Sequence, residues 1–358
     1  MNKTTSIYLD LLRFISALLV VFYHAKFPRF DGSWLKAVGA FGHDAVMVFF
    51  VLSGFVIAYV TSIKENDLAT YVKKRIARLY SVALPALLIT VILDYLGSAI
   101  DPEIYTGSHY ESDLPILRFF MNLFFLNEIW FESWRAFSNG PFWSLSYEFW
   151  YYIVFASWFY FSSYKRWFYL IVSMLIAGPK IMILMPVWVM GVITYYVSTR
   201  KSFSFYLSII LCLLPIFLYW YIRDSGVQKI IYIETTKVLG KEFLYEKLNF
   251  SRWFISDYIV GLLVSMHIMG FVMLSKNIKF NNFAAQLITY LANMTFALYL
   301  LHYPLLQFFG SFINNGIIIF TLTFSTVLLI SPYTEGAKNH WLFVINKVIL
   351  FVRNKKKR

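Results

Sequence analysis

Asp10, Arg13 and His24 all stand within one apolar stretch near the N-terminus. An ionisable side chain in such a stretch is costly to keep from water and is a candidate functional group that needs a partner. Arg13 and His24 are eleven positions apart, which on a helix is three turns and a small rotation. They therefore share a face and lie roughly 16 Å apart along the axis. Asp10 is one turn before Arg13 and can pair with it, although both are also placed to snorkel to the nearer surface. Arg75 and Arg78 open the third apolar stretch, three positions apart. Two guanidiniums on one helix face suit a polyphosphate, which takes planar two-pronged donors; contacts to lipid phosphate are the competing reading. Glu148 follows Trp143 and Ser146 at the head of an aromatic run from Phe149 to Tyr152. A carboxylate there takes up a proton or pairs with a His or Arg. His302 precedes Pro304, which frees a backbone carbonyl nearby. Ser53 and Gly54 lie in the run Phe49 to Phe55, where Ser can bond across helices and Gly lets them approach closely. The six histidines are scattered with no i, i+4 pair, so no metal site is expected.

These residues are carried by a chain of 358 residues that is 59% hydrophobic and 14% charged. Soluble domains are nearer ~45–50% and ~25%. Unbroken apolar runs such as Val82 to Leu93 and Ile317 to Ile330 exclude a membrane β-barrel, whose strands alternate. The fold class is an all-α polytopic integral membrane protein. Spans are expected near 7–26, 38–61, 76–99, 143–162, 167–178, 181–197, 205–222, 253–274, 285–309 and 314–333, about ten in all. The net charge of +13 sits in short gaps between these runs, which points to the positive-inside rule and not to nucleic acid. With Lys3 and the N-terminus cytoplasmic, the acidic gap Asp101 to Asp113 falls outside. The clusters at Lys165, Lys201, Lys276 and the C-terminus fall inside only if 115–130 does not cross. That segment is therefore expected to be re-entrant or interfacial, and both termini cytoplasmic. Residues 223–252 form a polar loop or lid, and no cleavable signal peptide is read at the N-terminus.

Five strings together resemble one family. Leu11 to His24, with ten residues between Arg13 and His24, looks like the signature of the membrane acyltransferase-3 family. Phe49 to Phe55, Arg75 to Arg78, Trp143 to Glu148 and Ala297 to Pro304 are similar to its later motifs, in the same order. Ahead of Phe49 the family tends to carry a Gly-Val-Asp string; here it reads Asp44-Ala45-Val46-Met47, so an acid, if needed, comes one turn earlier. Some members carry a fused C-terminal esterase-like domain, and this sequence resembles those without one. The domain reading is a single transmembrane acyltransferase domain over 1–335 and a basic cytoplasmic tail over 336–358.

The resemblance implies transfer of an acyl group, most often acetyl, from cytoplasmic acyl-CoA to a hydroxyl of a carbohydrate acceptor, an envelope glycan or lipid-linked sugar. It implies a multi-pass protein of the bacterial inner membrane. Acyl-CoA would be a co-substrate, with no cofactor bound permanently; membrane lipids would be the other partner. Carried onto this chain, Arg13, Arg75 and Arg78 would bind the donor. His24 would be the general base, Glu148 would fix its tautomer or stabilise the imidazolium that forms, and Ser53, Trp143, Ser146 and His302 would support them. An acyl-enzyme intermediate on His24 or Ser53 is the alternative chemistry. A transporter or flippase of a glycan or lipid, with no covalent step, is the alternative function.

Overall fold

In a computed structural model that describes residues 1–355, the chain is a helical bundle with no β-strand among the described residues. In chain order the helices are α1 (Lys3–Ala25), α2 (Gly42–Ile63), α3 (Leu68–Ile100), α4 (Pro115–Leu123), α5 (Trp143–Tyr160), α6 (Ser163–Ala177) and α7 (Pro179–Arg200). They continue with α8 (Phe205–Asp224), α9 (Val227–Leu239), α10 (Phe254–Leu274), α11 (Asn282–Ala292), α12 (Thr295–Gly310), α13 (Gly316–Thr334) and α14 (Lys338–Lys355). Their ends follow local chemistry. The Asn2 side chain accepts the Thr5 amide at 2.7 Å to start α1, and Asp67 accepts that of Thr70 at 2.8 Å to start α3. Pro28 follows the end of α1.

Among the described residues seven helical stretches are by themselves long and apolar enough to cross a membrane, and α11 with α12, bent by 49°, makes an eighth. The protein is a multi-pass membrane protein, but the expected ten is not reached on this measure. Two expected spans fall short for different reasons. Helix α6 has 15 residues and rises only about 22 Å. Helix α5 has 18, but Trp, Tyr, Ser and Glu148 lower its hydropathy. It can afford them because most of it is enclosed by protein and not by lipid. Residues 115–130 are likewise no span: α4 has nine residues, and Phe125 and Trp130 adopt left-handed backbone beyond it. The loop expected at 223–252 is partly helical, containing α9 and a π-helical turn at Phe243–Leu248. The tail expected from 336 begins as helix α14, which packs on α3; the last three basic residues lie outside the described ones.

Helices α2 and α7 meet backbone to backbone. A Cβ on Gly54 would lie 2.0 Å from the Trp188 carbonyl oxygen, and one on Gly191 would lie 2.0 Å from that of Val51. The close approach expected of Gly54 is thus realised, and it lets the Trp188 indole reach back to Ser53. Helix α12 is enclosed along nearly its whole length, between α1, α3 and α13. This brings His302 to the end of α1.

Candidate active site

His24 sits in the last turn of α1 and His302 in the middle of α12. The Leu298 carbonyl can only accept, so the His302 Nδ1–H must donate to it, at 2.9 Å. That leaves Nε2 of neutral His302 as an acceptor. It faces His24 Nδ1 at 3.0 Å, and the same Nδ1 is 3.1 Å from the Val20 carbonyl oxygen. Two acceptors around Nδ1 place the proton there. The lone pair of neutral His24 is then on Nε2, which makes no bond to protein among the described residues. Both helices supply a carbonyl four residues upstream, and the two imidazoles form a directed chain in which His24 donates to His302 and His302 donates to the Leu298 carbonyl.

His24 lines a chamber of about 570 Å³ together with His43, Glu128, Arg135, Trp143, Arg252, Tyr299 and Tyr303. At the opposite end of the bundle a cavity of about 600 Å³ is lined by Arg13, Arg78, Glu335 and Lys338. Between them lies a waist of about 60 Å³, bounded by Ser53, Glu148, Tyr152 and Tyr299, with room for roughly four waters. The three abut: Arg13, Arg78 and Phe296 line both the basic cavity and the waist, and Val46 and Tyr299 line both the waist and the chamber.

Each residue singled out in the sequence now has a place. Arg13 pairs with Asp10 at 3.1 Å and still lines the cavity. Arg78 lines it too. Arg75 does not: its guanidinium turns to Glu65 at 2.9 Å and lies near the Tyr71 and Tyr152 rings, in a buried ion pair. Glu148 does not reach His24. Its Oε1 accepts from Ser53 Oγ at 2.6 Å and from the Tyr152 hydroxyl, while Trp188 Nε1 donates to Ser53 Oγ at 3.1 Å. The group beside His24 Nδ1 is His302, not Glu148. Ser146 Oγ and Trp150 Nε1 both donate to the Phe125 carbonyl, at 2.6 and 3.0 Å, and so hold the loop before α5. Trp143 lies flat on Phe250, with centroids 4.5 Å apart, as a wall of the chamber. Asp44 is taken by Tyr219 at 2.6 Å and Arg223 at 2.9 Å, tying α2 to α8. The carbonyl that Pro304 frees is that of Leu300, and Asn139 Nδ2 donates to it at 2.8 Å.

Other groups around the chamber, including the in-span carboxylates Asp94 and Asp257, have no role that the sequence assigns. Asp94 accepts from the amide and hydroxyl of Ser138, at 2.9 and 2.6 Å. This pins the 136–140 turn ahead of α5. Lys180 and Glu128 form a fully buried pair at 2.6 Å. His43 donates to Asp257 at 2.9 Å. Among the described residues no three His, Cys, Asp or Glu side chains are placed to hold a metal.

In sequence, residues 6–335 match the family described as "Acyltransferase domain". Among curated proteins, the chain is similar to Acyltransferase MdmB of Streptomyces mycarofaciens, 31% identical over 155 residues. That match spans 41% of this chain and 38% of the relative, well under half the relative's length. No solved structure matches.

Proposed function

We propose, because the chain belongs to the acyltransferase family, that it moves an acyl group, most often acetyl in this family, from acyl-CoA to a hydroxyl of an envelope glycan or lipid-linked sugar. It does so in the bacterial cytoplasmic membrane, with both termini and the basic cavity facing the cytoplasm. The observation that carries this reading is the free Nε2 of His24, held by His302 at the mouth of a chamber that abuts the basic cavity through a waist.

Arg13 and Arg78 take the CoA phosphates, where two-pronged donors are favoured. The thioester arm passes through the waist, which shares Val46 and Tyr299 with the His24 chamber, so that its carbonyl meets the acceptor there. The acceptor hydroxyl in the chamber gives its proton to His24 Nε2, and its oxygen attacks the thioester carbonyl carbon. A C–O bond forms and the carbonyl pair moves to oxygen. When that pair returns, the C–S bond breaks and the thiolate takes the proton back from the His24 imidazolium. The positive charge on that ring is shared with His302 through the Nδ1–H. His302 acts through His24 and is a positioning residue; Glu148, with Ser53 and Tyr152, shapes the waist and balances Arg13 and Arg78. A waist that holds a few waters does not pass a sugar, which favours the transferase over the transporter reading.

Mass spectrometry of envelope glycans from cells with and without the protein, fed isotope-labelled acetate, tests this. Labelled O-acyl groups present only with the protein are expected. Identical glycan profiles, with no release of CoA thiol by the purified protein, would refute the reading.

A further inference from the structure

Besides its histidines, the His24 chamber is lined by two carboxylates, Glu111 and Glu128, and two guanidiniums, Arg135 and Arg252, and these are not paired with one another. Glu111 binds Arg118 at 2.6 Å, and Glu128 binds Lys180 at 2.6 Å. Arg135 and Arg252 have no carboxylate within ion-pair distance among the described residues. Asp257, the other acid beside the chamber, is taken by His43 at 2.9 Å. Every chamber acid is therefore neutralised, and two guanidiniums are left over.

The Arg252 guanidinium is held, and Arg135 is fixed through its backbone. The Arg135 carbonyl accepts from Arg118 Nη1 at 3.2 Å and from the Phe137 amide at 2.9 Å, which fixes its backbone. Its side chain lies over Gly140, where a Cβ would come 2.6 Å from Nη1. Arg252 stands over the Tyr245 ring at 4.9 Å and donates from Nη1 to the Asn249 carbonyl at 3.2 Å. Its Nε is buried without a partner. A third cation reinforces the field from the rim: Arg29 lies over the Phe30 and Tyr303 rings, and its Nε is likewise buried and unpartnered. His109, at the same rim, is held below its ordinary value by partial burial and then by Arg29 and Arg135. Keeping unpaired cations in an enclosed space is costly, and a ligand anion would offset that cost.

We propose that the acceptor is an anionic glycan, whose carboxylate or phosphate is held by Arg135 and Arg252 while its hydroxyl faces His24. Planar guanidiniums suit either group through paired N–H···O bonds. Trp143 and Trp253 line the same chamber as flat walls for the sugar. The inference rests on the chamber being the acceptor site.

The test uses the full chain in lipid nanodiscs and calorimetric titration of three probes. These are a glucuronate-containing tetrasaccharide, its carboxyl-reduced neutral counterpart, and glucose 1-phosphate. At low salt the tetrasaccharide acid or the sugar phosphate should bind at least tenfold tighter than the neutral probe; which of the two does so tells a charge on the glycan from a phosphate that links it to lipid. Arg135→Gln and Arg252→Gln should each weaken the anionic probe roughly tenfold, as loss of one charge-assisted contact does, and leave the neutral probe unchanged. Lys at either position should recover part of the loss. If a variant does not fold, wild type alone decides, since added salt should erase the preference. Equal binding of acidic and neutral probes, or no binding of either anionic probe, overturns the proposal. Full-rate acylation of a neutral glycan would overturn it and leave the transferase reading standing.

Discussion

Replacing His302 isolates the contact between α12 and α1. His302→Leu keeps an apolar side chain of similar bulk in a site with no solvent exposure. The Leu298 carbonyl retains its helical N–H donor, so no backbone group is orphaned. What is lost is the acceptor 3.0 Å from His24 Nδ1. In the ground state the Val20 carbonyl, at 3.1 Å, still holds the proton on Nδ1, so the tautomer survives. In the transition state His24 is an imidazolium, and the missing bond is charge-assisted, worth about 1.5–3 kcal/mol. At 1.36 kcal/mol per decade this is a fall of roughly 10- to 150-fold in kcat. KM for donor and acceptor should not move, because neither touches His302. His302→Gln, which places an oxygen near the lost Nε2, should recover part of the rate. The assay is steady-state CoA-thiol release by protein in nanodiscs, with melting curves to confirm folding. An unchanged kcat in a folded His302→Leu protein, or a loss seen only in KM, would refute the relay.

The two arginines of the third span should behave differently. Arg78→Gln should raise the donor KM roughly tenfold through one lost phosphate contact, read by donor titration of CoA release. Arg75→Ala should instead leave buried Glu65 with Lys74, at 3.6 Å, as its one cation partner among the described residues and lower the melting temperature, since breaking a buried pair costs about 3–5 kcal/mol. Gly54→Ala drives a methyl into the Trp188 carbonyl; overpacking of about 1–3 kcal/mol and loss of the Ser53–Trp188 bond should appear as a lower melting temperature together with lower activity. For topology, Glu103→Cys should react with an impermeant thiol reagent on intact cells and Lys165→Cys only after permeabilisation; the reverse pattern would invert the bundle.

The sequence is informative here wherever a property is local. Apolar runs mark the long helices, Gly54 marks a close approach, and Pro304 marks a freed carbonyl, because each depends on neighbours a few residues away. The 16 Å separation of Arg13 and His24 also follows from one helix alone. Other contacts depend on how helices are packed. His24 and His302 meet across 278 residues, and no spacing rule joins them. Glu148 lines the waist and not the His24 chamber, because α5 enters at the chamber with Trp143 and carries Glu148 down from it. Arg75 and Arg78 are equivalent on a helical wheel; only the presence of Glu65 beside one of them tells a structural ion pair from a cavity-lining cation. Helix α5 misleads hydropathy because it is surrounded by protein, where aromatic and polar residues find partners. Lys180 and Glu128 neutralise each other, and neither alone carries a sign of it.

His24 carries the central claim, and the most direct measurement is kcat for acyl transfer by His24→Gln and His24→Asn in nanodiscs, beside donor binding measured separately. Either amide can keep a hydrogen bond in place of Nδ1, but neither takes up a proton near neutral pH. Loss of a positioned base lowers the rate by about 10²–10⁴-fold. The expected result is a folded protein that binds acyl-CoA as wild type does and transfers at that reduced rate. Adding His302→Leu should make it little worse, because groups acting as a unit are not additive. Near-wild-type transfer by either folded His24 variant would contradict the account.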